Sequence, residues 1–277
     1  MSKPKEIALI YDFDGTLAEG NLPDHKLLPD IGIDKESFWQ EVEKITEEKD
    51  IDGVLAYMYL LAKYAKEKNF KLSRKILNGY GQDVPLFSGV QDWFERINSY
   101  SAKISNNDYI LKHYVISSGL YEIMEATSIA KHFQTIFASK YIFDDQDNLL
   151  YPGVAINYTT KTQYLFRINK GILNHHDNKG LNKWMVMKKR PVSFERMIYL
   201  GDGDTDIPAM KMVKFHGGSS LGVFGPKEWA DTKHKEKIYK LISEDRVNYV
   251  APADYSANSQ LDVIIKGLLE RIISEEK

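Results

Sequence analysis

The chain has 277 residues, 43% of them apolar, enough to fill a sizeable core, and its 37 basic and 39 acidic side chains are interspersed and nearly cancel. That balance argues against disorder and against a basic stripe that would gather nucleic-acid phosphates. No cysteine is present, so disulfides, thiolate metal sites and a cysteine nucleophile are excluded, and any metal must rest on oxygen or imidazole.

Residues 1–5 are charged and are followed by a short apolar run, 7–11, too brief for a signal-peptide core or a membrane span. The expectation is a cytoplasmic protein with neither nucleic acid nor a membrane as partner. The same run is rich in strand formers and stops at Asp12, Asp14 and Gly15, the pattern of a buried strand meeting a polar loop.

After Asp34, a residue suited to cap a helix, Phe38, Trp39, Val42 and Ile45 fall at helical spacing, and Ile51, Val54, Leu55, Met58, Leu61 and Tyr64 do so again. This predicts a small helical insertion after the first strand, placed where a lid over an active site would be. The expected division is a core of residues 1–17 and 86–277 and a helical cap of 18–85. Helices are predicted over 90–100 and 120–133, and strands over 114–116, 135–138 and 197–200. Strands alternating with helices imply an α/β fold, a doubly wound and mostly parallel sheet with helices on both faces, whose ligands bind beyond the carboxyl ends of the strands.

Residues 140–143 and 149–156 flank a turn of Asp144, Asp145, Gln146, Asp147 and Asn148, which predicts an antiparallel hairpin. Residues 171–190 read as a polar surface loop, with His175 and His176 as a solvated pair, and 261–273 as a closing amphipathic helix.

Four segments at predicted strand ends or helix starts carry residues suited to phosphoryl transfer. Asp12-Phe13-Asp14-Gly15-Thr16 puts two carboxylates on one side of a strand end, where one can attack phosphorus and the other can handle the leaving-group proton. Ser117-Ser118-Gly119 offers a small hydroxyl and backbone amides to a phosphate oxygen. Lys161 opens a predicted helix and can neutralise a transferring phosphoryl group, with Lys140 and Lys170 as competitors for the role. Gly201-Asp202-Gly203-Asp204-Thr205-Asp206 follows the last buried strand, and Asp202 and Asp206 bracket a turn that can present both to a hard cation such as Mg²⁺.

In these four motifs the sequence resembles the haloacid dehalogenase superfamily of aspartate-nucleophile phosphohydrolases, nearest to its phosphoserine-phosphatase-like branch with a helical cap after the first motif. The resemblance implies a Mg²⁺-dependent phosphatase that hydrolyses a small-molecule phosphomonoester through an aspartyl phosphate. It implies Asp12 as nucleophile and metal ligand and Asp14 as general acid and base that also ligates the metal through its carbonyl. Lys161 would stabilise the phosphorylated aspartate, Ser117 would bind phosphoryl oxygens with Ser118 beside it, and Thr16 and Gly119 would shape the phosphate cradle. Asp202 would complete the metal site, with Asp206 in its first shell or just behind it. Having Asp14, the chain resembles the members that act on phosphate esters and not the dehalogenating ones.

Two departures set it apart from phosphoserine phosphatases: Asn21 stands where they carry a glutamate for the substrate ammonium, and the insertion has no arginine before Arg74. A phosphotransferase or phosphomutase on the same scaffold, or a non-catalytic binding protein of this fold, stays open, as do the substrate and the oligomeric state.

Overall fold

A computed structural model describes residues 4–275. Its frame is one seven-stranded sheet in the order β4-β3-β2-β1-β5-β6-β7. The strands are β1 (Lys5–Tyr11), β2 (Tyr109–Leu120), β3 (Phe133–Phe143), β4 (Leu149–Val154), β5 (Met197–Gly201), β6 (Ser219–Phe224) and β7 (Tyr249–Pro252). Every neighbouring pair is parallel except β3 with β4, which form the antiparallel hairpin. Both edge strands contain a proline, Pro152 in β4 and Pro252 in β7, where a missing backbone N–H costs no ladder bond.

Between β1 and the next core helix come α1 (Leu22–His25), α2 (Leu27–Ile31), α3 (Lys35–Lys49), α4 (Gly53–Glu67) and α5 (Arg74–Tyr80). Asp34 caps α3 by accepting from Ser37 N, and Asp52 caps α4 by accepting from Leu55 N. The chain enters and leaves this insertion side by side, with Glu19 N donating to Pro85 O at 2.8 Å and Phe87 N to Leu17 O at 3.0 Å. The remaining helices are α6 (Val90–Ile104), α7 (Tyr121–Met124), α8 (Thr160–Lys170), α9 (Asn178–Asn182), α10 (Ile207–Phe215), α11 (Thr232–Ser243) and α12 (Gln260–Glu275).

The central strand sorts its side chains by the twofold alternation of a strand. Ile7, Leu9 and Tyr11 pack with α6, α12 and the insertion, whereas Ala8 and Ile10 pack with α8, α10 and α11. With both faces covered, β1 reads as a continuous apolar run. None of the described helices is long and apolar enough to cross a membrane.

Two predicted segments differ. The helix predicted over 120–133 is only α7 followed by turns, because Thr127 turns the chain back by giving its hydroxyl to Met124 O, and β3 already starts at Phe133. The stretch 171–190 is not a plain polar loop, since it contains α9 and is fastened by the buried Arg167, whose guanidinium donates to Asn174 O, His175 O and Asn178 Oδ1. His175 is half-buried against Phe137 and Tyr164, so only His176 is solvated. Strands β6 and β7 had no clear signal, because β6 begins with two serines and includes Gly222, and β7 is four residues long.

Under the sheet, Trp93 Nε1 donates to Tyr11 Oη, which faces His113 Nδ1 at 3.0 Å, while His113 Nε2 faces Asn98 Oδ1 at 3.0 Å. These partners are all satisfied when the imidazole is neutral with its proton on Nε2. Burial, helped by His132, pushes the His113 imidazole down to about 3. A folded-state value below the unfolded one means that stability is complete above the unfolded value and declines as pH falls through it, by up to about 1.4 kcal/mol per pH unit. The expected result is that His113→Gln costs less stability at pH 5 than at pH 7, measured by urea unfolding. An equal cost at both pH values would contradict the buried neutral imidazole.

Candidate active site

The four motifs meet at the carboxyl ends of β1, β2 and β5, at the point where the chain order reverses between β1 and β5. Asp12 follows β1 directly, and its backbone N–H donates to Leu200 O of β5 at 2.9 Å. The residue is 5% exposed, with Oδ1 accepting from Phe13 N at 2.7 Å and Oδ2 lying 3.0 Å from Lys161 Nζ. Asp14 accepts from Leu22 N, the first residue of α1, at 3.0 Å, so the loop is tied to the insertion.

Gly15 has φ +68°, and a Cβ there would stand 2.5 Å from Asp202 Oδ2. A Cβ on Gly119 would stand 2.6 Å from Asp14 Oδ2. These two glycines let three loops close on one another and leave room for the carboxylates. Gly119 and Ser118 are not in a turn at a strand end. They form a bulge inside β2, where Ser117 pairs with Ala138 and Leu120 with Ser139, so residues 118 and 119 have no partner on β3 and turn toward the cleft. Ser117 is fully buried and its Oγ accepts from Gly119 N at 3.1 Å.

Lys161, near the start of α8, is completely buried, and its Nζ donates to Asp206 Oδ1 at 2.7 Å and contacts Asp12 at 3.0 Å. Burial works to lower its affinity for a proton, but Asp12 and Asp206 overcome this and hold the ammonium charged. The rival lysines lie elsewhere: Lys170 donates to the carbonyls of Leu181 and Lys183, and Lys140 sits over the Tyr121 ring. Asp206 is also fully buried and accepts from Tyr199 Oη at 2.6 Å and from Gly203 N at 3.3 Å.

Asp202 is partly exposed, 3.4 Å from Lys237 Nζ. Oxygens of Asp12, Asp202 and Asp206 all lie within 4.8 Å of one another. Burial, reinforced by Asp206, pushes the Asp12 carboxyl well above its usual range. Burial likewise raises Asp14 to about 7, against the opposing Leu22 hydrogen bond, and Asp202 to about 6, against Lys237. Four carboxylates crowd a space where two ammonium groups are at hand, and that surplus of buried negative charge suits a hard divalent cation on oxygen ligands.

Of the residues singled out from the sequence, Asp12, Asp14, Ser117, Ser118, Gly119 and Asp202 line one cleft of about 430 Å³, and Lys161 and Asp206 lie wholly buried behind Asp12. Thr16 is the exception. The turn in which Thr16, Leu17 and Ala18 all donate to Phe13 O folds it inward, its carbonyl accepts from Tyr255 Oη, and its hydroxyl is buried without a partner. Sequence reasoning missed Tyr199 and Lys237. Tyr199 lies two residues before Gly201 on an apolar strand and reads as core, and Lys237 belongs to a helix remote in sequence from every motif.

A second cavity of about 370 Å³ adjoins the cleft and shares Asp14, Asn21, Ser118, Gly119, Tyr158 and Thr205 with it. Its outer wall is the insertion, with Trp39 and Val42 of α3 and Val54 and Tyr57 of α4. Tyr57 Oη donates to Ser118 O at 3.0 Å, which fastens α4 to the bulge. Tyr59 is exposed and Tyr64 hydrogen-bonds Glu41, so neither lines the cavity. Arg74 lies over the Phe143 ring, away from it.

No family model matches the chain. An uncharacterized protein of Borreliella burgdorferi is 28% identical over 279 residues, covering 92% of this chain and 93% of that protein. A HAD family hydrolase from Salmonella enterica subsp. enterica serovar Typhi superposes with a TM-score of 0.59 at 13% identity, over 95% of this chain and 71% of that one. A substrate-bound phosphoserine phosphatase gives a TM-score of 0.53 at 16% identity, over 96% of this chain and 99% of that one. The chain shares the fold of these haloacid dehalogenase-type structures. A phospho-aspartyl intermediate analogue of phosphoserine phosphatase is similar at a TM-score of 0.52 and 17% identity, over 95% of this chain and 99% of that one. Within this fold, residues of α1, α3 and α4 line the cavity beside the cleft.

Proposed function

We propose that the protein is a phosphatase that removes phosphate from a small organic phosphomonoester by way of a phosphorylated Asp12, with residues 18–85 acting as the cap. The observation that carries this reading is the contact of a wholly buried Lys161 with both Asp12 and Asp206 at the switch point of the sheet. A lysine is rarely buried unless its charge is needed, and here it stands beside the carboxylate best placed to attack.

Asp12 Oδ2, at the end of β1, attacks phosphorus, and Lys161 holds that oxygen in place and offsets the negative charge that gathers during transfer. Asp14, two residues on, gives its proton to the departing alkoxide; its raised affinity for a proton suits that task. It then takes a proton from the water that hydrolyses the phosphorylated Asp12. Ser117 and the unpaired backbone of the bulge face the phosphoryl oxygens. Asp12 and Asp202 would hold a Mg²⁺ ion, which supplies charge neutralisation at the phosphoryl group when bound. Asp206 acts from behind, because its oxygens are already engaged by Lys161, Tyr199 and Gly203. The cap excludes water once substrate is in place.

The reading is tested by phosphate release from an aryl phosphate with Mg²⁺ and with a chelator, where release only in the presence of the metal is expected. Binding gives a separate readout. Mg²⁺ at about a hundred times its dissociation constant adds about 2.7 kcal/mol of stability, or roughly 5–10 °C in the thermal midpoint of a chain this size. Asp202→Asn should remove most of that shift. A shift that survives this substitution in full would place the metal elsewhere.

A further inference from the structure

The cavity between the insertion and the cleft is where the part of the substrate beyond its phosphate would lie, so its chemistry bears on the leaving group. Its lining mixes aromatic and aliphatic side chains with the neutral polar Asn21, Ser118, Asn157 and Thr205, and its acidic members are Asp14 and Asp52. Among the described residues that line it there is no lysine, arginine or histidine. Trp39 and Tyr57 meet there with ring centroids 5.7 Å apart and planes inclined by 57°, so the two rings form a corner. The indole is locked, because Trp39 Nε1 donates to Asp24 Oδ1 at 2.8 Å. Asn21 also spends its amide nitrogen on Asp24, which brings a third carboxylate up behind the wall.

A carboxylate-bearing leaving group would meet this wall without a counter-charge. The amino end of α4 opens on the cavity and would attract an anion, but Asp52 already caps it with its own carboxylate. A positively charged nitrogen, in contrast, gains from the faces of Trp39 and Tyr57 and from the carboxylates of Asp52 and Asp24 beside them, Asp14 being protonated for its task as acid.

Resting on the phosphatase reading, we propose that the leaving group is a small amino alcohol whose nitrogen is positively charged and which carries no carboxylate. The phosphate sits over Asp12, and the ammonium lies in the corner made by Trp39 and Tyr57 with Asp52 at its edge.

The test compares kcat/KM for phosphocholine, for its neutral carbon isostere 3,3-dimethylbutyl phosphate, and for phosphoserine, with p-nitrophenyl phosphate as a control. Phosphocholine should exceed both others by at least about tenfold, which corresponds to about 1.4 kcal/mol and falls within the reach of a desolvated cation over aromatic rings. Asp52→Asn keeps a side chain that can cap α4 but removes the charge, and the preference over the isostere should fall to within about threefold. Equal rates for phosphocholine and its isostere, or a preference for phosphoserine, would overturn the inference while hydrolysis of the aryl ester leaves the phosphatase reading standing. Calorimetric titration with choline separates the remaining case. Choline binding with no hydrolysis of any ester would keep the cation site and sink the phosphatase reading, whereas no binding and no hydrolysis would sink both.

Discussion

Asp12→Asn should fold as the parent does and lose turnover of an aryl phosphate by a factor on the order of 10⁶, the size of effect seen when a covalent nucleophile is removed. The amide has nearly the same shape, so it can still accept from Phe13 N and stand near Lys161. What it lacks is the electron pair of an anion, and the proposed chemistry has no other carboxylate placed to replace it. Stability should move the other way. The Asp12 carboxyl is held well above its ordinary range by burial and by Asp206, which means that its ionised form opposes folding in the absence of metal. A neutral amide relieves that opposition, so the metal-free variant should unfold at the same temperature as the parent or a higher one. Retained turnover above about a hundredth of the parental rate would show that Asp12 is not the attacking group, whatever the stability.

Lys161→Met should damage both activity and fold. The ammonium is wholly buried between Asp12 and Asp206, so its removal leaves two carboxylates without their main counter-charge. Breaking a buried ion pair in this way costs about 3–5 kcal/mol, and the thermal midpoint should fall by roughly 10 °C. Activity should fall by at least about 10²–10³, the usual cost of losing one group that stabilises charge in the transition state. Lys161→Arg should not restore it, because a planar guanidinium does not fit a closed site shaped for a compact ammonium. Adding Asp206→Asn to Lys161→Met should recover part of the stability by removing one stranded charge, with no recovery of turnover. Scanning calorimetry and phosphate release on the three variants give the answer. A single variant as stable as the parent would show that Lys161 does not carry the electrostatic load assigned to it.

The motifs around Asp12 and Asp202 were legible because buried parallel strands are apolar on both faces, and acidic residues that end such strands stand out sharply. The helical insertion could be read from the spacing of Phe38, Trp39 and Val42 and from Asp34 as a cap, all local signals. The bulge at Ser118 and Gly119 was not legible, because serine and glycine look the same in a turn as in a strand that has lost its register with β3. The inward fold of Thr16 escaped for a related reason, since three amides converging on Phe13 O leave no trace in the pattern of residue types. Tyr199 and Lys237 act on Asp206 and Asp202 through contacts that only the assembled sheet brings about. His175 looked solvated because its neighbours are polar, yet Arg167 draws that segment down onto Phe137 and Tyr164.

The most direct measurement is the stereochemical course at phosphorus, followed with a phosphate ester made chiral by oxygen isotopes. Attack by Asp12 followed by hydrolysis of the phosphorylated aspartate inverts the centre twice, so the released phosphate should show net retention. Net inversion would mean that water attacks the ester directly, and the role given to Asp12 would be wrong.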